Sequence, residues 1–291
     1  MRDGIVLLDK PRGISSNQAA RHVQRLLGAK KAGHTGTLDP MATGMLPVCL
    51  GEATKIVPYL IDRTKCYTTT VQLGIQTDTG DAEGAAIQTR PVPSLDFERA
   101  SRCVADLLGR SMQVPPMYSA LKKDGIPLYS LARQGKTVDR EPRAIEVLDA
   151  RLLQVGQNSV SISVVVSKGT YVRELGERLA RALGTVGHLS ELRRDWVSPF
   201  ESEPMCLAES IQAAPAGVKV LTVAEVMREL PAIQCDSNLL RRMTQGLPTQ
   251  LAAVGFSGQC RLETSPGKTH AIVCLDEQAV LRPLRVFLRE I

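Results

Sequence analysis

Residues 33–47 read Gly33-His34-Thr35-Gly36-Thr37-Leu38-Asp39-Pro40-Met41-Ala42-Thr43-Gly44-Met45-Leu46-Pro47, and the reading of the whole chain turns on this stretch. Three glycines, two prolines and three threonines oppose a long regular element, so a loop whose backbone is placed for a ligand is expected. Its only acid is Asp39. Pro40 restrains the backbone of the residue before it, and Thr35, Gly36, Thr37 and Gly44 surround it. A lone carboxylate can act as nucleophile, as base or as electrostatic stabiliser. From spacing alone, the better explanation is a side chain that stabilises its own turn.

The segments on either side have clearer periods. Ile5–Leu8 reads as a short buried strand, and Asp9-Lys10-Pro11-Arg12-Gly13 ends it in a fixed loop. Ser15 or Ser16 then caps a helix with Ala19, Ala20, Val23, Leu26 and Leu27 inward, closed by Gly28. Cys66–Leu73 alternates as a strand, with Tyr67, Thr69, Val71 and Leu73 on one face. The acidic loop 77–84 lacks the order of oxygens that an EF-hand calcium loop requires. Leu95–Leu108 is an amphipathic helix broken by Val114-Pro115-Pro116. Residues 122–145 are polar and basic, with a helix-like Leu128–Arg133 inside, and read as a protruding insert. Val147–Leu153 and Val160–Val166 are expected strands, and Lys168-Gly169-Thr170 turns the chain into a helix from Tyr171 to Leu183. Beyond about residue 228, short strands at Cys260–Glu263, Ala271–Leu275 and Leu284–Leu288 suggest a small β-rich second domain.

Composition narrows the class. The 291 residues carry 36 Lys and Arg against 30 Asp and Glu, a net +6. The excess is local: residues 1–65 hold ten basic against five acidic side chains, and 110–145 hold seven against three. Residues 74–109 reverse this, three against six. Basic blocks separated by acidic ones suit a surface that faces a polyanion, as scattered charge on any soluble protein also would. The seven cysteines are widely spaced and form no C-x-x-C, so buried free thiols are expected rather than disulfides or zinc. No apolar run approaches membrane-spanning length, and Ile5–Leu8 is too short for a signal-peptide core, so a cytoplasmic protein with no membrane partner is expected. No two of the four histidines sit three to five residues apart, and no G-x-S-x-G, G-x-x-x-x-G-K-[ST] or G-x-G-x-x-G is present. Serine-hydrolase, P-loop and dinucleotide readings lose their best support, and neither metal nor cofactor is expected.

The block Gly33–Gly44 closely resembles the catalytic motif of the tRNA pseudouridine synthase B family. Leu8-Asp9-Lys10-Pro11-Arg12-Gly13-Ile14-Ser15-Ser16 resembles that family's first motif. Lys65-Cys66-Tyr67, continuing to Thr77-Asp78-Thr79-Gly80-Asp81, is similar to its second strand and loop. Ser167-Lys168-Gly169-Thr170-Tyr171-Val172-Arg173 is similar to its late motif, and Val114–Lys122 and Leu192-Arg193-Arg194 also fit. Trp196 and Ser198 depart from the family's usual residues. The likeness covers roughly residues 4–200.

The resemblance implies an isomerase that turns uridine 55 in the T arm of tRNA into pseudouridine, with the target base flipped out of its stack. It implies Asp39 as the catalytic carboxylate, with Arg173 paired to it and Tyr67 stacked on the uracil, its hydroxyl assisting the proton loss from C5. Tyr171 would shape the pocket and Leu192 would line it, unless Leu192 is plain helix core. His34 would stack into the gap left in the RNA, and Lys10 with Pro11 would brace the loop at the substrate site. The implied fold is α+β, a pseudouridine synthase fold with a mixed, largely antiparallel sheet and flanking helices. A catalytic domain over 1–228 would carry a thumb-like insert at about 122–145. A small C-terminal β-rich, PUA-like RNA-binding domain would occupy 229–291. The implied partner is tRNA, bound through its T arm by a monomer that works without guide RNA.

Overall fold

The computed structural model describes residues 3–252 and 255–287. The first part of the chain builds β1 (Gly4–Lys10), α1 (Ser16–Leu26), β2 (Ala32–His34), β3 (Thr43–Leu50), α2 (Val57–Leu60) and β4 (Lys65–Leu73). A hairpin of β5 (Ile75–Thr77) and β6 (Ala86–Thr89) follows, then α3 (Phe97–Ala105) and β7 (Gly109–Gln113). Short β8 (Lys122–Lys123), β9 (Ile126–Pro127) and α4 (Leu128–Ala132) form an excursion before β10 (Arg143–Val155) and β11 (Ser159–Val166). Next come α5 (Val172–Ala182), β12 (Gly187–Val197), α6 (Ala208–Ala213) and α7 (Val223–Val226). Last are β13 (Ala232–Gln234), α8 (Ser237–Thr244), β14 (Thr249–Gln250), β15 (Gly258–Glu263), β16 (Thr269–Leu275) and β17 (Val280–Val286).

The main sheet has eight strands in the order β1-β3-β12-β4-β11-β10-β7, with β2 also paired to β3. Its pairs are antiparallel except β12 with β3, where Arg193 and Arg194 run parallel beside Thr43 and Gly44. Alternation explains which face is dry. Val160, Ile162, Val164 and Val166 of β11 lie on one side with Tyr67 and Val71 of β4. The helices close over them with one stripe each: Ala19, Ala20 and Val23 from α1, Ala100 and Val104 from α3, Leu175, Leu179 and Ala180 from α5. Each large apolar side chain buried here contributes about 1.5–3 kcal/mol. At the β1–β3 end the other face is dry as well. Ile5, Leu7, Met45 and Cys49 meet Ile56, Leu60, Val197, Phe200 and Leu221 there, together with Ile272 and Phe287 from the C-terminal region.

The C-terminal strands form a separate five-stranded sheet, order β13-β15-β16-β17-β14. Met243, Cys260, Leu262, Ala271, Val273, Leu275 and Leu281 make its own core. The expected strand at Leu284–Leu288 is the end of β17, and its last residue lies outside the described residues. Among the described residues no helix is long and apolar enough to cross a membrane.

Three expectations need correcting. The stretch 33–47 is not one loop, because Thr43–Leu50 is a strand that contains Pro47. The ladder from β2 ends at the pair His34–Val48 and that from β12 at Arg194–Gly44. Pro47 falls in the gap between them, where a missing N–H forfeits no ladder bond. Leu192 belongs to a strand rather than a helix, with Thr69 of β4 as its partner. The protruding insert stops short of residue 145, because β10 starts at Arg143 and pairs with Gln113 at once.

Candidate active site

The sheet forks at β3. Strand β2 pairs with its C-terminal half and β12 with its N-terminal end, and the loop 35–42 emerges in the fork. Backbone and side-chain bonds fix that loop at several points. Ser15 caps α1 with Gln18 in a capping box, which leaves the hydroxyl of Ser16 free for the loop. It accepts from the Leu38 N–H at 2.8 Å and donates to the Leu38 carbonyl at 3.1 Å. The Gly13 N–H donates to the Pro40 carbonyl at 2.8 Å, and the Ala42 N–H to the Asp39 carbonyl at 3.0 Å. Leu38, Met41 and Ala42 are buried in the core. Burial of the flanking apolar side chains turns Asp39 outward into a cleft, with 31 % of its side chain exposed.

Arg173, in the first turn of α5, is 4 % exposed. Its Nε lies 3.0 Å from Asp39 Oδ2, and its Nη2 donates to Asp39 Oδ1 at 3.4 Å. Two carbonyls hold the guanidinium from behind: Thr79 accepts from Nη1 at 2.8 Å and Tyr118 from Nη2 at 2.7 Å. Asp81 stands 3.9 Å from Nη1. Burial pushes the Asp39 carboxyl above its ordinary range and the charge of Asp81 adds to this, while Arg173 and Lys10 pull it down. A planar guanidinium fork both aims a carboxylate and favours its ionised form.

A cavity of about 310 Å³ opens beside this pair, lined by Asp39, Arg173, Tyr67, Tyr171 and Leu192 among others. Adjacent strands bring two of these together with Arg194: Tyr67 stands opposite Arg194 across β4 and β12, and Leu192 lies two residues before Arg194 on the same face. Tyr171 is fixed through its backbone. Its N–H donates to Gln113 Oε1 at 2.8 Å, and Gln113 Nε2 donates to its carbonyl at 3.0 Å. Burial raises the Tyr171 hydroxyl above its ordinary pKa. A second, larger cavity of about 640 Å³ adjoins on the other side of Asp39 and Arg173, lined by Asn17, Asp78, Glu83, Tyr118 and Tyr129. The cleft thus joins two lobes, each with two tyrosines in its lining and both sharing the carboxylate. Its volume and lining suit a flat heterocycle held against aromatic faces.

Two expected site residues stand outside both cavities. Lys10 is fully buried, and its ammonium donates to the carbonyls of Pro11 at 2.9 Å, Ile14 at 2.8 Å and Pro40 at 3.3 Å. It ties the first motif to the loop that carries Asp39, and lines neither cavity. Burial lowers its pKa to about 8 despite the attraction of Asp39. His34 sits on β2 opposite Val48. Burial, and after it the charge of Arg194, lowers its pKa below the ordinary 6.5, so the ring is neutral at neutral pH.

Four residues at the site were given no role in the sequence reading. Gln113 closes β7, and Asp81 sits in a loop held by its own side chain, which accepts from Thr79 at 2.6 Å and from the Glu83 N–H at 3.1 Å. Lys65 and Arg194 line the smaller cavity. Arg194 was visible only as part of a Leu-Arg-Arg run. Its alternation with Leu192, two residues before it on one strand face, is the pattern that could have singled it out.

Comparison with known proteins places the chain among named relatives. The family model described as TruB family pseudouridylate synthase (N terminal domain) matches residues 24–172. The chain is 47 % identical over 260 residues to tRNA pseudouridine synthase B of Chromohalobacter salexigens, covering 88 % of this chain and 85 % of that protein. It is 51 % identical over 263 residues to tRNA pseudouridine synthase B of Aromatoleum aromaticum, covering 89 % and 85 %. With the protein of that name from Xylella fastidiosa it shares 42 % identity over 291 residues, covering 98 % and 96 %. Among solved structures, a chain of a Cbf5-Nop10-Gar1 complex superposes with a TM-score of 0.72 at 23 % identity, covering 98 % of this chain and 85 % of that one. At that identity the likeness is one of fold.

Proposed function

The chain belongs to the TruB family of pseudouridylate synthases, and from that premise we propose how its cleft carries out the isomerisation of uridine 55 in the T arm of tRNA. The reaction breaks the N1–C1′ bond of the uridine, turns the base and joins C5 to C1′. The proton on C5 leaves and N1 gains one, so no electrons and no other atoms enter or leave. The base is stacked within the arm, so it must swing out of the RNA to reach protein groups.

The observation that carries this reading is the gathering of Asp39, Arg173, Tyr67, Tyr171 and Leu192 around one cavity of about 310 Å³. Asp39 is the carboxylate that acts at the ribose, and Arg173 keeps it ionised and aimed. Tyr67 stacks on the uracil, and its hydroxyl assists the removal of the C5 proton. Tyr171 and Leu192 shape the rest of the pocket. His34, neutral and one strand away, supports the flipped conformation from the RNA side, and Lys10 braces the loop. Residues 1–228 act as the catalytic domain. The basic insert grips the phosphate backbone, and residues 229–291 act as a PUA-like RNA-binding module. The protein works in the cytoplasm as a monomer, without guide RNA.

Incubation of the purified protein with unmodified tRNA, with no guide RNA or protein partner added, tests this reading. Mapping should place pseudouridine at position 55. An absence of product there overturns it.

A further inference from the structure

Arg194 is a buried cation with one donor left over. Its side chain is fully buried. Nε donates to the Met45 carbonyl at 2.7 Å and Nη2 to the Gly36 carbonyl at 3.2 Å. Nη1 has no hydrogen-bond partner, and no carboxylate lies within ion-pairing distance of the guanidinium among the described residues. A buried charged group with an unmade bond carries an unrepaid desolvation cost, so such groups are rare and call for an explanation. Arg194 nevertheless lines the cavity that holds Tyr67, Leu192 and Asp39.

Gly36 packs directly beside the guanidinium, its carbonyl accepting from Nη2. Gly36 lines the same cavity. A Cβ built there would stand 3.6 Å from Arg194 Nη1 and 3.5 Å from Lys65 Cε, so a side chain at 36 would lie against both cations. Lys65 is 7 % exposed and donates to the Ile61 and Arg63 carbonyls at 3.1 and 2.6 Å. Burial, and then the charge of Arg194, lowers its pKa to about 8. Two cations with no ion pair among the described residues thus line the cavity beside Tyr67, Tyr171 and Leu192.

We infer that Arg194 is a further catalytic residue, whose Nη1–H donates to a carbonyl oxygen of the flipped uracil and stabilises the negative charge that spreads onto that oxygen as the N1–C1′ bond breaks. The inference rests on the pseudouridine synthase reading above. Uracil offers acceptor oxygens on C2 and C4, and when N1 departs from C1′ the ring takes up the bonding electron pair and delocalises it toward those oxygens. A fixed N–H donor on a cation in a water-poor site favours that charged state far more than the neutral base that precedes it. When C5 then joins C1′ the charge returns to the new bond, the C5 proton is lost and N1 is protonated, so Arg194 itself gives up no proton. Removal of one such donor in comparable sites slows turnover about 10²- to 10³-fold.

The experiment is a thermodynamic cycle in single-turnover rate. Unmodified tRNA carrying uridine, 2-thiouridine or 4-thiouridine at position 55 is presented to the wild type and to Arg194→Lys. Sulfur is the poorer acceptor, so one of the two thio substrates should react about tenfold or more slowly with the wild type, as for the loss of a bond to a charged donor. Arg194→Lys should be slowed about 100-fold on uridine, keep its tRNA affinity, and show no further penalty for sulfur at that position. If Arg194 only props the Met45 and Gly36 carbonyls, the variant and the sulfur penalties multiply, and the inference is overturned. It is overturned equally if neither thio substrate slows the wild type, a result that needs no variant to fold. A wild type inactive on plain uridine overturns the functional reading instead. Should Arg194→Lys melt far below the wild type, Lys65→Met supplies the second arm: it leaves Nη1 in place, so the sulfur penalty must persist in it.

Discussion

The guanidinium of Arg173 grips both oxygens of Asp39, with Nε 3.0 Å from Oδ2 and Nη2 3.4 Å from Oδ1, while the carbonyls of Thr79 and Tyr118 hold it from the other side. The carboxylate proposed to act at the ribose is therefore aimed by a group that is itself fixed by the acidic loop and by the root of the insert. The arrangement has a direct consequence for pH. Burial raises the Asp39 pKa above 3.8, and Arg173 is the largest force opposing the rise. Turnover that needs the ionised carboxylate must fall as pH drops through the raised value. Replacing Arg173 with Gln removes the opposing charge, so the acid limb should move to higher pH and the plateau rate should drop about 100-fold through lost aim. Single-turnover rates between pH 5 and 9, on the order of one point per half unit around the ordinary carboxylate and histidine ranges, would show this. An acid limb at the same pH in both proteins would exclude Arg173 as its cause. Asp39→Asn is the control: it should bind tRNA as the wild type does and form no pseudouridine.

Tyr67 separates stacking from proton chemistry. It is 7 % exposed, on the face of β4 that lines the smaller cavity. Tyr67→Phe keeps the ring and loses only the hydroxyl, so tRNA affinity should hold within about threefold, below 1 kcal/mol. Product formation should drop about 10²- to 10⁴-fold, the usual range for a lost acid–base group. Turnover near the wild-type rate would make Tyr67 a packing residue.

How much of this was legible in the sequence depends on the range of the interaction. Period-2 alternation exposed β4 and β11, because each strand has one dry face. The stripe of Ala19, Ala20 and Val23 exposed α1 for the same reason. Strand β12 was hidden: its burial alternates, but charged residues interrupt it at Glu191, Arg193, Arg194 and Asp195, and it looks like a polar helix end. Long-range partners supply the missing information. Arg193 is neutralised by Asp9, 184 residues away, at 2.8 and 3.0 Å, and no local pattern encodes that pair. Strand β3 was masked by Pro47, whose place in the sheet fork follows only from the registers of β2 and β12. At the site, Asp39 and Arg173 could be named from motifs. Gln113 could not, since its whole role is to grip the backbone of Tyr171 across the fold.

The insert offers a test of affinity rather than of chemistry. Lys122, Lys123 and Lys136 are all exposed, and the Lys123 ammonium donates to the Asp139 carbonyl at 3.3 Å. Side chains so placed contribute little to folding, and are free to contact phosphate. Replacing all three with Gln should weaken tRNA binding and lower the slope of log affinity against log salt by about 2 to 3. The rate at saturating tRNA should change little, because none of the three lines either cavity. An unchanged salt slope would assign phosphate contact to another surface.

The sheet fork also sets a stability test. Gly44 is the point where β3 meets β12 in parallel, with φ +98°. A Cβ at Gly44 would lie 2.2 Å from the Arg194 carbonyl oxygen and 2.9 Å from its backbone N and C, so the obstacle is main chain and cannot swing aside. Gly13 shares the positive φ, at +89°, but a Cβ there would meet nothing within 4 Å. The pair separates backbone strain from collision. Gly13→Ala should cost about 1 kcal/mol from the left-handed backbone alone. Gly44→Ala should cost about 3 kcal/mol or more, since it must also push β12 away from β3. The second change moves Arg194 and with it the floor of the smaller cavity, so activity should fall even at temperatures where the variant stays folded. Urea unfolding of the two variants, read beside their single-turnover rates, checks both statements. Equal losses of stability would mean that the two strands yield freely at the fork, and that the position of Arg194 is set elsewhere.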